Sequence, residues 1–459
     1  MFSSARHPAL MKVLMLLLLT VLLYIPLGII QSLIDERGAS QDAATQELAQ
    51  TYTHAQMLVG PLLVVPYVES WKEARRDDKG NETGGQIDLS KDSVYLVFPD
   101  TLDLDGRMMP ETRYRGIFSI LFYKLEGTLR GRFAAFDADA IAHSQRNSSI
   151  ELKTPYVAVG LSDLRGFEGS PVLSMAGEKL RFAQGVPGLS DKSALASGIH
   201  APLTGAVLAQ WRDAKAMDFE LPLTVIGQGR LSVAPVAEET TAHIQSSWAD
   251  PSFGGNFLAA QRTVSAQGFD AHWRISSLVT KARAQVRSLP TADDATYRPP
   301  GTSVESFDVS LVQPLNVYAM ATRAAKYGVM FIALVLMAAF MFELFKTLRL
   351  HPVQYALVGL AIALFFLLLV ALSEKIEFWQ AYVVAAGASV ALLAVYFSTV
   401  LHGWRRGLSL GGFVAVLYAA LYGLLASEDN ALLLGSLLVF GMLAALMLMT
   451  RKVDWYALK

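Results

Sequence analysis

The chain has 459 residues, of which 53% are hydrophobic and 17% charged, with a formal net charge of −1 and no cysteine. A soluble globular domain carries roughly 25% charged residues, so part of this chain is composed for a solvent other than water. The balanced charge gives no basic stripe for nucleic acid, and without cysteine there are no disulfides, thiol nucleophiles or thiolate metal sites.

In chain order, a short basic N-terminus (residues 1–12, with Arg6 and Lys12) precedes an uncharged run, VLMLLLLTVLLYIPLGIIQSLI, at residues 13–34. That run is long enough to cross about 30 Å of hydrocarbon. It exceeds a signal-peptide core and ends in Leu33-Ile34-Asp35-Glu36-Arg37 without a small-x-small cleavage site, so it reads as an uncleaved anchor. Pro26 is expected to kink it. Residues 32–52, rich in Gln, Ala, Asp and Glu, continue the helix out of the membrane.

From Leu62 the punctuation changes to short β-branched and aromatic runs separated by Gly, Pro, Asn and Asp. Strands are predicted at 62–68, 93–98, 116–125, 151–159, 219–226, 230–235, 264–269 and 307–312. The pattern predicts a β-rich, sandwich-like domain over residues 35–326. Phe269, Ala271, Trp273 and Ile275 are placed toward its core, and Asp270, His272, Arg274 and Ser276 toward the opposite face. Residues 75–86 (RRDDKGNETGGQ) read as a polar, glycine-rich loop, and residues 288–302 as a proline-rich connection.

Five more apolar runs follow at 327–345, 353–372, 378–401, 408–426 and 431–450, ahead of a tail at 451–459. With the first run they predict six transmembrane helices, one plus five. Arg and Lys are retained in the cytoplasm. An internal N-terminus places Arg6, Lys12, Lys346, Arg349, Arg405, Arg406, Arg451 and Lys452 on the cytoplasmic side, and among the short external loops only Lys375 is basic. Arg323 and Lys326 count against this orientation, but they flank a long translocated domain, where the rule weakens. The β-rich domain is then periplasmic and both termini are cytoplasmic. Trp379, Trp404, Trp455 and Tyr456 fall at the expected interfaces.

Candidate chemistry is sparse. Gly407-Leu408-Ser409-Leu410-Gly411 fits G-x-S-x-G, with His351 and His402 on the same expected surface, but a nucleophile elbow needs a strand before the serine. Small residues opening a membrane helix are the simpler explanation. Glu343 is an acid inside an apolar span and so a candidate proton or ion site, although pairing with Lys346 three residues on is the plainer reading. The Asp270/His272/Arg274 face is the pattern of a metal or hydrolytic cluster and, more simply, of a strand's solvated side. His54, His143, His200 and His243 show no ligand spacing, there is no H-E-x-x-H and no Walker motif, and Asn147-Ser148-Ser149 matches a glycosylation sequon that is common by chance. Gly359/Ala363 and Ala385/Ser389 are small faces suited to close helix packing. The last three spans are read as free of polar residues, and no internal repeat marks a transporter.

The chain resembles the CreD family of bacterial inner-membrane proteins. The resemblance rests on Val59-Gly60-Pro61-Leu62-Leu63-Val64-Val65-Pro66, Asp250-Pro251-Ser252-Phe253-Gly254-Gly255-Asn256-Phe257, and Gln267-Gly268-Phe269-Asp270-Ala271-His272-Trp273. Further on it rests on Met341-Phe342-Glu343-Leu344-Phe345, His351-Pro352-Val353-Gln354-Tyr355, the run from Ser427 to Gly435, and Thr450-Arg451-Lys452-Val453-Asp454-Trp455-Tyr456. It covers nearly the whole chain, leaving out residues 75–86. It implies a role in cell-envelope integrity or envelope stress, and it supplies no catalytic residues. The expectation is therefore a non-enzymatic membrane protein without cofactor or metal, embedded in the lipid bilayer, whose periplasmic domain binds an envelope lipid, glycan or protein. A transporter using Glu343 is the alternative, and an intramembrane serine hydrolase at Ser409 the third reading.

Overall fold

The computed structural model describes residues 8–76, 82–189, 193, 195–287, 304–313, 317–346, 350–427 and 431–451. It divides into two compact units, one of Met1–Ala43 with Leu315–Lys459, the other of Ala44–Pro314.

The first unit is helical. Its N-terminal segment forms helices Pro8–Leu22 and Tyr24–Thr51, interrupted at Leu23. Pro26 has no amide to bond the carbonyl of Leu22, so the break falls where the proline was expected to act. Leu23 and Leu27 still bond Leu19 and Leu23 at 2.9 and 3.4 Å. The span expected at 327–345 is the helix Gly328–Lys346, and the short helix Val317–Lys326 before it meets it at 44°. Helices Pro352–Ser373, Phe378–Val400, Trp404–Ala426 and Ala431–Thr450 follow. Among the described residues four helical runs are long and apolar enough to cross a membrane, or five if the bent pair is one span. The sixth expected span corresponds to the helix Ala431–Thr450.

Small residues set the close approaches here, as lipid-embedded helices require. A Cβ on Gly359 would lie 2.1 Å from Leu23 Cδ1, and one on Gly407 would lie 2.5 Å from the backbone of Ser398. Ala363 and Ala385 are fully buried. The expectation of apolar final spans is corrected: the Tyr382 hydroxyl donates to the carbonyl of Tyr418 at 2.7 Å, and Ser389 Oγ bonds the Tyr418 hydroxyl at 2.9 Å. Tyrosine reads as apolar by ring area, yet its buried hydroxyl takes a partner.

In the second unit the described residues form two sheets, of nine and eight strands. The first runs Pro251–Gly255, Phe307–Leu311, Arg230–Val233, Gln56–Arg76, Tyr156–Leu161, Gly198–Pro202, Ala183–Gln184, with Glu82–Val97 and Ser149–Leu152 also paired to the long Gln56–Arg76 strand. The second runs Gln261–Ser265, Gly268–Ser276, Glu239–Ser246, Thr101–Arg115, Phe118–Phe133, Met217–Gln228, Val172–Met175, Glu178–Arg181. The core lies between them. Leu62 to Val65 on one side and Leu125, Leu129 and Phe133 on the other are fully buried. Trp273 of the second sheet stacks on Phe307 of the first at 5.1 Å.

The strand expectations need four corrections. The flanks of residues 75–86 are strand, because the hairpin ladder continues through Ala74↔Gln86 to Arg76↔Glu82, and backbone pairing is indifferent to polar side chains; residues 77–81 lie outside the described residues. The strand expected at 151–159 is split into Ser149–Leu152 and Tyr156–Leu161 at Pro155, which has no amide for a ladder. The strand expected at 264–269 is a hairpin turn, since Ser265 pairs with Gly268. Gly268 has φ 129° and a Cβ there would meet the Ser246 carbonyl oxygen at 2.0 Å, so only glycine fits. Finally, Thr101–Arg115 and Glu239–Ser246 are strands that the sequence reading missed.

Candidate functional site

The alternation read at 269–276 holds: Phe269, Ala271, Trp273 and Ile275 are buried, while Asp270, His272, Arg274 and Ser276 face away from the core. Strand pairing arranges the second sheet's solvent face into rows. His243 lies opposite His272 on one side and Asp105 on the other, and Asp105 lies opposite Thr128. In the next row Asp270 lies opposite Gln245, then Arg107 and Glu126.

Elsewhere on this face, carboxylates pair with guanidinium groups: Arg130–Glu220 at 3.0 Å, Arg132–Asp218 at 2.6 Å and Arg274–Glu239 at 2.5 Å. The row holding His243 is different. Asp270 Oδ2 lies 3.0 Å from His243 Nε2 and its Oδ1 lies 2.9 Å from His272 Nε2. His243 Nδ1 lies 3.3 Å from Asp105 Oδ1, and Gln245 Nε2 donates to Asp270 Oδ2 at 2.8 Å. The two imidazoles are face to face, 4.0 Å apart with planes 5° from parallel. Hydrogen bonding to His243, opposed by partial burial and aided by Gln245 and the nearby His272, holds the Asp270 carboxyl below its ordinary value. His243, Asp270 and His272 are the residues here that could hold a metal ion. Arg274, grouped with them in sequence, pairs with Glu239 and is not part of the cluster.

Beside this cluster is a groove of about 710 Å³ with Asp105, Arg107, Glu126, Thr128, Glu168 and Gln245 in its lining. It opens where a ladder is interrupted. The strand Met217–Gln228 pairs with Val172–Met175 at Phe219 and Glu220, then with the chain again at Phe167↔Val225. The Glu168 amide still bonds the Thr224 carbonyl at 3.0 Å; residues 169–171 then leave the ladder, and Pro222, which cannot donate, lines the gap.

A second polar cluster is structural. Glu69 is only 2% exposed and accepts four bonds: from the Ser144 amide at 2.8 Å, the Ser144 hydroxyl at 2.5 Å, the Gln145 amide at 3.1 Å and the Ser148 hydroxyl at 2.6 Å. Burial alone raises its pKa, but these hydrogen bonds outweigh it and bring the carboxyl from 4.5 down to about 2.

The other residues singled out in the sequence are held in local roles. The G-x-S-x-G pattern lies wholly inside the helix Trp404–Ala426, so no strand-to-helix elbow forms. Ser409 is exposed on that helix and its hydroxyl donates to the Arg406 carbonyl at 2.9 Å. His351 caps a helix, its Nδ1 accepting the Val353 amide at 3.3 Å, and His402 sits at φ 51° after the preceding helix. His54 lies 3.2 Å from Asp163, His143 bonds Ser148 at 2.7 Å, and His200 donates to the Gly185 carbonyl at 2.6 Å. Glu343 is 5% exposed. The side chain of Lys346, its expected partner, lies outside the described residues. The partners seen are Lys12, which pairs with Oε1, and the Tyr355 hydroxyl, which donates to Oε2 at 2.7 Å.

The model of one protein family, described as inner membrane protein CreD, matches residues 8–456. The inner membrane protein CreD of Escherichia coli (strain K12) is 32% identical over 453 residues, covering 98% of this chain and 95% of that protein. Among solved structures, an M1 zinc metallopeptidase from Deinococcus radiodurans overlaps 39% of this chain and 38% of its own at a TM-score of 0.20 and 8% identity. Salmonella injectisome basal-body proteins overlap 36% of this chain and 44% of that one at a TM-score of 0.06 and 6% identity. Overlaps that low define no shared fold.

Proposed function

The chain belongs to the CreD family of inner membrane proteins, and on that premise we propose that it supports cell-envelope integrity by holding a polar envelope ligand on its β unit, without chemically altering it. The observation that carries this reading is the groove of about 710 Å³ on the second sheet's solvent face. Its lining offers carboxylate, guanidinium, hydroxyl and amide groups side by side, which suits a ligand rich in hydroxyls and amides more than a lipid tail. The β unit is periplasmic and both termini cytoplasmic in this account, supported by the basic residues Arg6, Lys12, Arg405, Arg406 and Arg451 at the ends and loops assigned to the inside.

The test is complementation of a deletion strain with Arg107→Glu and Glu126→Arg, scored by envelope permeability at matched membrane levels. Failure of each single variant, with the double variant inserted and folded but equally defective, is expected of a ligand site. Full complementation by the double variant sinks the groove as the site.

A transport role centred on Glu343 has one observation in its favour, a buried acid in an apolar helix. Both of its oxygens are occupied, by Lys12 and Tyr355, which supports a structural pair. Normal insertion with complete loss of function in Glu343→Gln favours transport instead.

A further inference from the structure

We propose that His243, His272 and Asp270 form a site for a divalent transition cation of the zinc class, with Asp105 orienting His243 from behind. The proposal does not depend on what occupies the neighbouring groove.

The donor set is the first argument. One ring nitrogen of His243, one of His272 and one carboxylate oxygen of Asp270 all lie within 4.8 Å of one another. Two imidazoles and a carboxylate suit zinc, cobalt, nickel or copper, and do not suit the all-oxygen preference of calcium or magnesium. Three protein ligands with a fourth position open to water is the arrangement of an accessible zinc site.

The second argument is the order of groups around His243. Its Nε2 faces Asp270 at 3.0 Å while its Nδ1 faces Asp105 at 3.3 Å. Gln245 Nε2 also approaches His243 Nε2 at 3.0 Å; a metal that displaces this amide, with the ring proton moved to Nδ1 beside Asp105, takes up the Nε2 lone pair. This is the carboxylate–histidine–metal relay that fixes tautomer and raises ligand basicity. Gln245 does the same for the carboxylate, donating to Asp270 Oδ2 at 2.8 Å.

The third argument is charge. Among the described residues the ion pairs of Asp105 and Asp270 are all to histidine, whereas neighbouring carboxylates on the face have arginine partners. With neutral imidazoles the cluster carries two negative charges without a fixed cation among them; Arg107 stands one row away, opposite Gln245 and Glu126. A divalent ion neutralises that excess.

Geometry sets one requirement. The rings are parallel and 4.0 Å apart, so their lone pairs run side by side. Each ring must turn about its Cβ–Cγ bond for both nitrogens to reach one ion at about 2.0–2.1 Å. Side-chain exposures of 29% for His243 and 49% for His272 leave room to turn.

The test is titration of the tag-free, chelator-stripped full chain in detergent with Co²⁺, read by its visible d–d absorption and by the rise in melting temperature. One Co²⁺ per chain is expected, competed off by Zn²⁺. Affinity should fall at least tenfold in His243→Ala and in His272→Gln, and about 10- to 100-fold in Asp105→Asn, while His200→Ala binds as the wild type does. Circular dichroism separates lost ligands from lost fold, and His272→Gln, on the more exposed ring, serves if His243→Ala misfolds. A wild-type chain that binds no Co²⁺ beyond what the His243→Ala/His272→Gln double variant binds overturns the proposal. So does an equal loss in His200→Ala.

Discussion

Replacing Glu69 by Gln keeps the shape of the side chain and removes its charge, which isolates what the carboxylate does. Its Oε1 accepts three of the four hydrogen bonds, and its Oε2 accepts the fourth from the Ser144 hydroxyl. Hydrogen bonds to a charged acceptor are worth about 1.5–3 kcal/mol against about 0.5–1.5 for neutral pairs. Losing roughly 1 kcal/mol on several of four bonds, with Ser144 forced to turn from donor to acceptor, destabilises the 143–148 segment by about 2–4 kcal/mol. Native-state hydrogen exchange, corrected for intrinsic rates, reads this locally: the amides of Ser144 and Gln145 should exchange about 30- to 700-fold faster in Glu69→Gln, at about tenfold per 1.4 kcal/mol. The pH dependence has a fixed sign. The folded-state pKa, about 2, is depressed below the ordinary 4.5, so the stabilisation is fully present above about pH 4.5 and lost as pH falls toward 2. In Glu69→Gln that pH dependence should vanish. A less than threefold change in exchange, or an unchanged acid profile, refutes the argument.

Three further outcomes follow from the packing. Glu343→Ala leaves Lys12 uncompensated beside a buried position and should cost about 3–5 kcal/mol in detergent unfolding, while Glu343→Ala combined with Lys12→Met recovers much of it; equal loss in the double variant removes the pairing argument. Gly268→Ala, at φ 129° with its Cβ 2.0 Å from a carbonyl oxygen, should lower the melting temperature of the β unit by several degrees, and an unchanged melt contradicts the strain. Ser409→Ala should leave complementation intact and abolish no labelling by a serine-reactive probe, because the hydroxyl is spent on the Arg406 carbonyl.

What the sequence disclosed depended on whether the signal was local. Alternation at 269–276 is a property of one strand, and so the side each residue faces was readable. The membrane helices were readable for the same reason, since twenty apolar residues in a row need no partner to be recognised. His243 was not linked to His272 because the link is the cross-strand register, set by pairing between strands whose residues lie 27 positions apart in the case of Asp270. Lys12 was not linked to Glu343 because 331 residues separate them. The strand Thr101–Arg115 alternates buried and exposed positions over residues 101–108, but Asp103, Asp105, Gly106 and Pro110 are residue types depleted in strands, and its few β-branched or aromatic residues, Thr101, Thr112 and Tyr114, lie only at its ends. The G-x-S-x-G pattern misled for the opposite reason: its glycines serve helix packing, with Gly407 on Ser398 and Gly411 on Ala394.

The central claim is that the β unit carries the function and the helices carry it to the membrane. The most direct measurement is envelope permeability in a deletion strain expressing either the full chain or a chain in which residues 44–314 are replaced by a flexible linker, with insertion of both verified by protease accessibility. The account predicts that only the full chain restores the barrier. Equal restoration by the shortened chain contradicts it, and would move the function to the helical unit and its Lys12–Glu343–Tyr355 cluster.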